Sequence, residues 1–117
     1  MQQQAERRQP VEVLLVLVSC PAGREEAIAL SLLDAGLAAC VNVIPMIKSF
    51  YRWQGKVQQD NESMMLIKCA ADNYSMLQDR ILELHPYELP EIITVEISDG
   101  LPAYLDWVAH PDKNISE

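Results

Sequence analysis

From Val11 to Ser19 the chain reads VEVLLVLVS, β-branched and leucine-rich with little alternation. A central strand covered on both faces has this pattern, and Pro21 is expected to stop it. The period then changes. Over Gly23 to Ala35 (GREEAIALSLLDA), Ile28, Leu32 and Ala35 share one face with Leu33 close by, which predicts a helix. Glu25 and Glu26 sit in its first turn, where they oppose the dipole, and Gly36 is placed to cap its end.

Cys40 to Trp53 (CVNVIPMIKSFYRW) returns to strand formers. Pro45 predicts a bulge or an edge position. Gln54-Gly55 suits a two-residue turn, because glycine tolerates the positive φ such turns demand. The chain should then run back from Lys56 to Cys69, kinked at Asp60-Asn61. A second helix, capped by Asp72 or Asn73, carries the stripe Tyr74, Leu77, Ile81 and Leu84 and ends at His85-Pro86. Pro90 opens a last strand, Glu91 to Ile97, with Ile93, Val95 and Ile97 on one face. Gly100 breaks it, and Pro102 starts a short helix with Tyr104, Leu105 and Val108.

The order is β-α-β-β-α-β plus a terminal helix: an α+β, ferredoxin-like fold with an extended β2-β3 hairpin. Right-handed crossovers place both main helices on one face of an antiparallel sheet. Residues 1–10 (MQQQAERRQP) read as a flexible leader, 11–110 as a single domain and 111–117 as a polar tail.

Each arm of the hairpin has about 13 residues and spans roughly 43 Å at strand rise. A compact domain of this length is only about 35 Å across. The hairpin should overhang its own core and expose Phe50, Tyr51 and Trp53 near its tip. An apolar overhang invites association, so an oligomer of this chain is expected, with those three residues at its interface.

Composition narrows the partners. Nine Lys and Arg against 17 Asp and Glu give a net charge of −8, which argues against nucleic acid and against an anionic membrane. No apolar run approaches the roughly 20 residues of a membrane span. The leader lacks the apolar core of a secretion signal, so the expected compartment is the cytoplasm. Cys20, Cys40 and Cys69 fit neither a disulfide framework nor a zinc spacing and are expected as reduced thiols.

An ordered series of short segments resembles a known family. It runs through Leu37-Ala38-Ala39-Cys40-Val41-Asn42, Tyr51-Arg52-Trp53-Gln54-Gly55-Lys56, Glu62, Leu66-Ile67-Lys68, His85-Pro86-Tyr87-Glu88-Leu89-Pro90-Glu91-Ile92 and Tyr104-Leu105-Asp106-Trp107. The series looks like the CutA divalent-cation tolerance proteins. The resemblance implies a homotrimer, similar in build to PII signalling trimers, and a link to tolerance of copper and other divalent cations. It implies no settled biochemical activity. Cys69 departs from the family, which commonly has threonine after Ile-Lys.

The candidate chemistry follows. His85, near Glu88 and Glu91, suits copper or another divalent metal, although a histidine at a helix C-terminus also simply complements the dipole. Cys40 lies inside the family motif and is the best placed of the thiols as a soft ligand, against packing as the ordinary role of a buried cysteine. Glu62 and Lys68 share a strand face by even spacing and, with Tyr87 and Glu91, are expected to line a ligand cleft; a structural ion pair is the other reading. No nucleophile elbow or phosphate-cradling loop occurs, so no enzyme and no catalytic residues are expected. Two functions follow: a trimeric metal-response protein binding copper or another divalent ion, or a PII-like signalling or scaffold trimer binding a small molecule between subunits.

Overall fold

A computed structural model describes residues 12–112. The leader and residues 113–117 of the tail lie outside the described residues. The elements are β1 (Val13–Pro21), α1 (Glu25–Asp34), β2 (Cys40–Trp53), β3 (Lys56–Ala70), α2 (Tyr74–Leu84), β4 (Ile92–Glu96) and α3 (Pro102–Ala109), with a 3-10 turn at Ala71–Asn73 leading into α2. The four strands form one antiparallel sheet in the order β2-β3-β1-β4. This is the ferredoxin-like arrangement expected from the element order.

Alternation along the strands divides the sheet into two faces. Val16, Val18, Met65 and Ile67 point to one side and meet Ile28 and Leu32 of α1 and Leu77 and Ile81 of α2 in a single core. Both helices therefore cover the same face. The opposite face carries Leu15, Leu17, Ile44, Leu66, Ile93 and Val95. It is covered only in part: Ile93 is 50% exposed and Val95 46%. The face of β4 that carries Ile93 and Val95 is thus open in the single chain. Helix α3 contacts β3 and β1 and packs the buried Val108 outside the main core.

Local chemistry explains the element ends. After α1, Gly36 takes φ 72° while its N–H donates to Leu33 O and the Leu37 N–H to Leu32 O. This 6→1 and 5→2 pair is a Schellman cap. Strand β1 runs through Pro21 rather than stopping before it, because Pro21 still pairs with Glu62 at the end of the ladder. Neither Asp72 nor Asn73 caps α2 with its side chain: the Asn73 Nδ2 instead reaches Gly36 O.

The hairpin turn is Gln54-Gly55, with φ 52° and 81°. Two consecutive positive values are the signature of a type I′ turn, whose twist matches that of the strands. The expected irregularity at Pro45 is a bulge. Ile44 pairs with Met64 and Ile47 with Glu62, so Pro45 and Met46 together oppose Ser63, with Met46 at φ 61°. The kink expected at Asp60-Asn61 is absent. Those residues pair regularly with Ser49 and Lys48, because the extra residue is carried by the facing strand.

Beyond Glu62 strand β3 has no partner on the β1 side, so Lys56–Asn61 pair only with β2. The outer half of the hairpin overhangs by roughly 20 Å at strand rise. The radius of gyration, 16.3 Å, exceeds the roughly 13 Å of a compact domain of this size, as an overhang requires.

A candidate ligand cleft at the root of the hairpin

The helix-to-strand connection after α2 wraps the end of the sheet where the hairpin departs. His85 begins it in an extended conformation, ψ 133°, as the residue before a proline must. Pairing between β1 and β4 ends at Val18 and Ile92. One residue further on, the Ser19 carbonyl is taken up by His85 Nε2 at 2.7 Å. The Tyr87 N–H donates to His85 Nδ1 at 3.1 Å. Since Nδ1 accepts, Nε2 carries the proton and donates to Ser19. The ring is 7% exposed and both its nitrogens are engaged by backbone.

Two further bonds pin the same loop. The Tyr87 hydroxyl donates to Glu62 Oε2 at 2.9 Å, and the Ser19 hydroxyl to Glu91 Oε1 at 3.3 Å. Burial, followed by the bond to Glu62 and its negative charge, raises the Tyr87 pKa well above the ordinary tyrosine value, so the hydroxyl stays a donor. Between this loop and the overhanging hairpin lies an open cleft of about 890 Å³. Ser19, Glu62, Tyr87 and Glu91 line its inner end, Tyr51 and Trp53 its outer wall.

The bulge decides which hairpin residues face it. Before Pro45 the even positions Cys40, Asn42 and Ile44 share the open face; beyond Met46 the odd positions Ile47, Ser49, Tyr51 and Trp53 do. Tyr51 and Trp53 therefore stand on the same face as Glu62, and Phe50 on the other. The Tyr51 hydroxyl donates to Asp60 Oδ2, its diagonal neighbour on that face. This bond comes first among the causes that raise the Tyr51 pKa. Phe50 is 67% exposed, and Tyr51 and Trp53 are also exposed in the single chain.

The structure brings Glu62, Tyr87 and Glu91 together, but not Lys68. Lys68 shares their sheet face, as its even spacing from Glu62 requires, yet six residues of strand hold it roughly 20 Å away. There it donates to Asn42 Oδ1, opposite Cys40. No ion pair joins it to Glu62.

His85 and Cys40 lie apart in the single chain. Cys40 lies level with Leu15 across β3, whereas His85 touches Ser19, four residues further along β1. Among the described residues, no three His, Cys, Asp or Glu side chains converge on a point that could hold a metal ion. The half-buried Cys40 thiol lies 3.8 Å from Asn42 Oδ1. Burial, then the charge of Cys40 and a bond to it, raises the pKa of Tyr104 on α3. Ser19, Lys48 and Arg52 are cleft residues that sequence reasoning missed; a serine closing an apolar strand gives no signal of its role.

All three cysteines are free. Burial pushes the Cys20 and Cys69 thiols up to about 11, and the neighbouring Glu25 and Glu62 add to the effect at Cys20. At pH 8 only roughly one molecule in a thousand would carry either thiolate. Both should resist a disulfide reagent such as Ellman's in the native protein and react fully in urea; fast native labelling of either would contradict their burial. The unfolded thiols release their protons first, so stability is fully present below pH 9 and falls as the pH rises through 11.

The fold and cleft define a class: a small α+β protein with a ferredoxin-like sheet and a projecting hairpin. Residues 14–111 match the family described as CutA1 divalent ion tolerance protein, and the chain belongs to that family. It is 41% identical over 95 residues to the divalent-cation tolerance protein CutA of Thermus thermophilus, covering 80% of this chain and 92% of that protein. It is 37% identical over 108 residues to mouse Protein CutA, covering 92% of this chain but only 61% of the longer mouse protein. Among solved structures it superposes on the PII-like protein CutA of Nostoc sp. PCC 7120 in apo form, with a TM-score of 0.77 and 36% identity over 81% of this chain and 92% of that one.

Proposed function

We propose that this protein works as a homotrimer that binds a small ligand in the cleft at the root of the hairpin, and that its part in divalent-cation tolerance runs through that ligand. The observation that carries this reading is the hydrogen-bonded inner end of the cleft. Glu62, Tyr87, Ser19 and Glu91 hold one another across three elements, so the site is organised before anything binds. The PII-like description of the Nostoc relative supports a signalling or scaffold role.

Two features support self-association: the apolar sheet face left open by the helices and the aromatic overhang of the hairpin. The trimer specifically comes from the family. Free thiols at all three cysteines suit a reducing compartment, and the cytoplasm is the proposed one.

Direct binding of copper or another divalent metal is the second reading. It draws on the family's description and on the half-buried Cys40 thiol, a soft ligand suited to Cu(I). His85 adds little to it, since binding through either nitrogen would break a backbone contact.

Isothermal titration separates the readings. The expected result is weak Cu(II) and Zn(II) binding, unchanged in His85→Ala, alongside a melting-temperature rise with at least one member of a metabolite panel. Tight stoichiometric metal binding, lost in Cys40→Ser or His85→Ala, with no response to the panel, would overturn the cleft reading.

A further inference from the structure

The two acidic side chains at the inner end of the cleft differ in one respect. Glu91 is exposed, whereas Glu62 is 4% exposed. A carboxylate that buried is costly unless its charge is met, yet among the described residues Glu62 forms no ion pair. Its Oε2 accepts the Tyr87 hydroxyl. No donor among the described residues reaches Oε1. Because no buried side-chain oxygen among the described residues is left unpaired, Oε1 is reached by solvent, and the space that Glu62 lines is the cleft. The tyrosine bond holds the carboxylate with its second oxygen presented to the opening.

Tyr87 stands beside that carboxylate, and Tyr51 lies further out on the same face, four residues of strand from the Ile47 that pairs with Glu62, with Trp53 two residues beyond it. Three carboxylates, Glu62, Glu88 and Glu91, line the cleft against two cations, Lys48 and Arg52. Both cations sit at even positions beyond the bulge, on the strand face opposite Glu62. A deeply set carboxylate oxygen beside Tyr87, with Tyr51 further along the same face, is the chemistry that recognises a positively charged nitrogen on an apolar stem. A phosphate-bearing ligand would find a buried negative charge at the inner end of the cleft and no glycine-rich nest of N–H groups.

We propose that the cleft takes an organic cation, a primary ammonium or guanidinium group on a short apolar stem, with Glu62 as its anionic anchor and Tyr87 holding that anchor in place. The inference rests on the small-molecule reading above and names the ligand class of the same site. Ser19, Glu62 and Tyr87, which form the inner end, all belong to one chain.

The test uses the full chain and four probes: benzylammonium, n-butylguanidinium, benzyl alcohol and benzoate. Binding is followed by isothermal titration and by NMR shifts at Glu62, Tyr87 and Tyr51. Saturable binding of both cations is expected, with the neutral and anionic probes at least tenfold weaker. Glu62→Gln, which keeps shape and an acceptor for Tyr87, should weaken cation binding at least tenfold while sedimentation stays unchanged and the melting temperature does not fall. Tyr87→Phe serves as the second variant should Glu62→Gln fail to fold, and should weaken the cations severalfold. Benzoate or benzyl alcohol binding as well as the cations, with shifts at the same residues, would overturn the cation assignment and leave the small-molecule reading standing. Full cation affinity in Glu62→Gln would overturn the anchor. Absence of any cleft shift with all four probes, together with a flat metabolite panel, would overturn both.

Discussion

Ile67→Ala is expected to lower the unfolding free energy by about 2–5 kcal/mol. Ile67 is fully buried on β3, paired with Val16 on one side and Val41 on the other, and packed among the side chains of both main helices. Its neighbours belong to strands and helices that hold one another, so little can collapse into the vacated space, and the value should fall toward the upper part of that range. Urea denaturation at fixed protein concentration measures it, since any oligomer makes the midpoint depend on concentration. Leu82→Ala, on the exposed face of α2, is the control and should stay within about 0.5 kcal/mol of the parent. Similar losses in both variants would mean that the core lies elsewhere.

The second large effect concerns assembly. Trp53→Ala is expected to weaken the proposed trimer by about 2 kcal/mol or more at each of its interfaces, the usual scale for an aromatic anchor. Three such losses multiply to roughly four orders of magnitude in the trimer's dissociation constant. Sedimentation over a dilution series reads this directly, and far-UV circular dichroism checks that the fold survives. Trp53 also lines the cleft, so ligand binding should weaken too, but only as the trimer comes apart. An intact, equally stable trimer would place the anchor on other residues.

Much of this fold was legible because its signals are local. The stripe Tyr74, Leu77, Ile81 and Leu84 is a period that only a helix can use, and Leu77 and Ile81 are indeed fully buried. Gly36 and Gly55 marked a cap and a turn because their positions require positive φ. The bulge was legible from Pro45. Its effect on Asp60-Asn61 was not, since polar residues in a strand resemble a break until the partner strand is seen to hold the extra residue.

The cleft was harder to read, and the reason is distance. Even spacing placed Glu62 and Lys68 on one face correctly, but periodicity gives a side and not a separation. His85 was readable as a candidate ligand from its polar neighbours in sequence, but its contact with the Ser19 carbonyl, 66 residues away along the chain, was not. Ser19 meets Glu91 from a comparable separation. Contacts of that range leave no local trace, so Tyr87 and Glu62 could be suspected singly but not recognised as bonded to each other.

The bulge at Pro45 and Met46 acts as a frame shift in a two-letter code. Up to Ile44 the open face is written in even positions; beyond Met46 it is written in odd ones. The outer arm is therefore a message in its own frame, with two residues as its unit. Lengthening or shortening it in pairs preserves which side chains look toward Glu62, whereas a single inserted residue exchanges the aromatic face for the one bearing Lys48 and Arg52. Anyone grafting this arm onto another hairpin must carry the bulge with it, or rewrite every position after it by one.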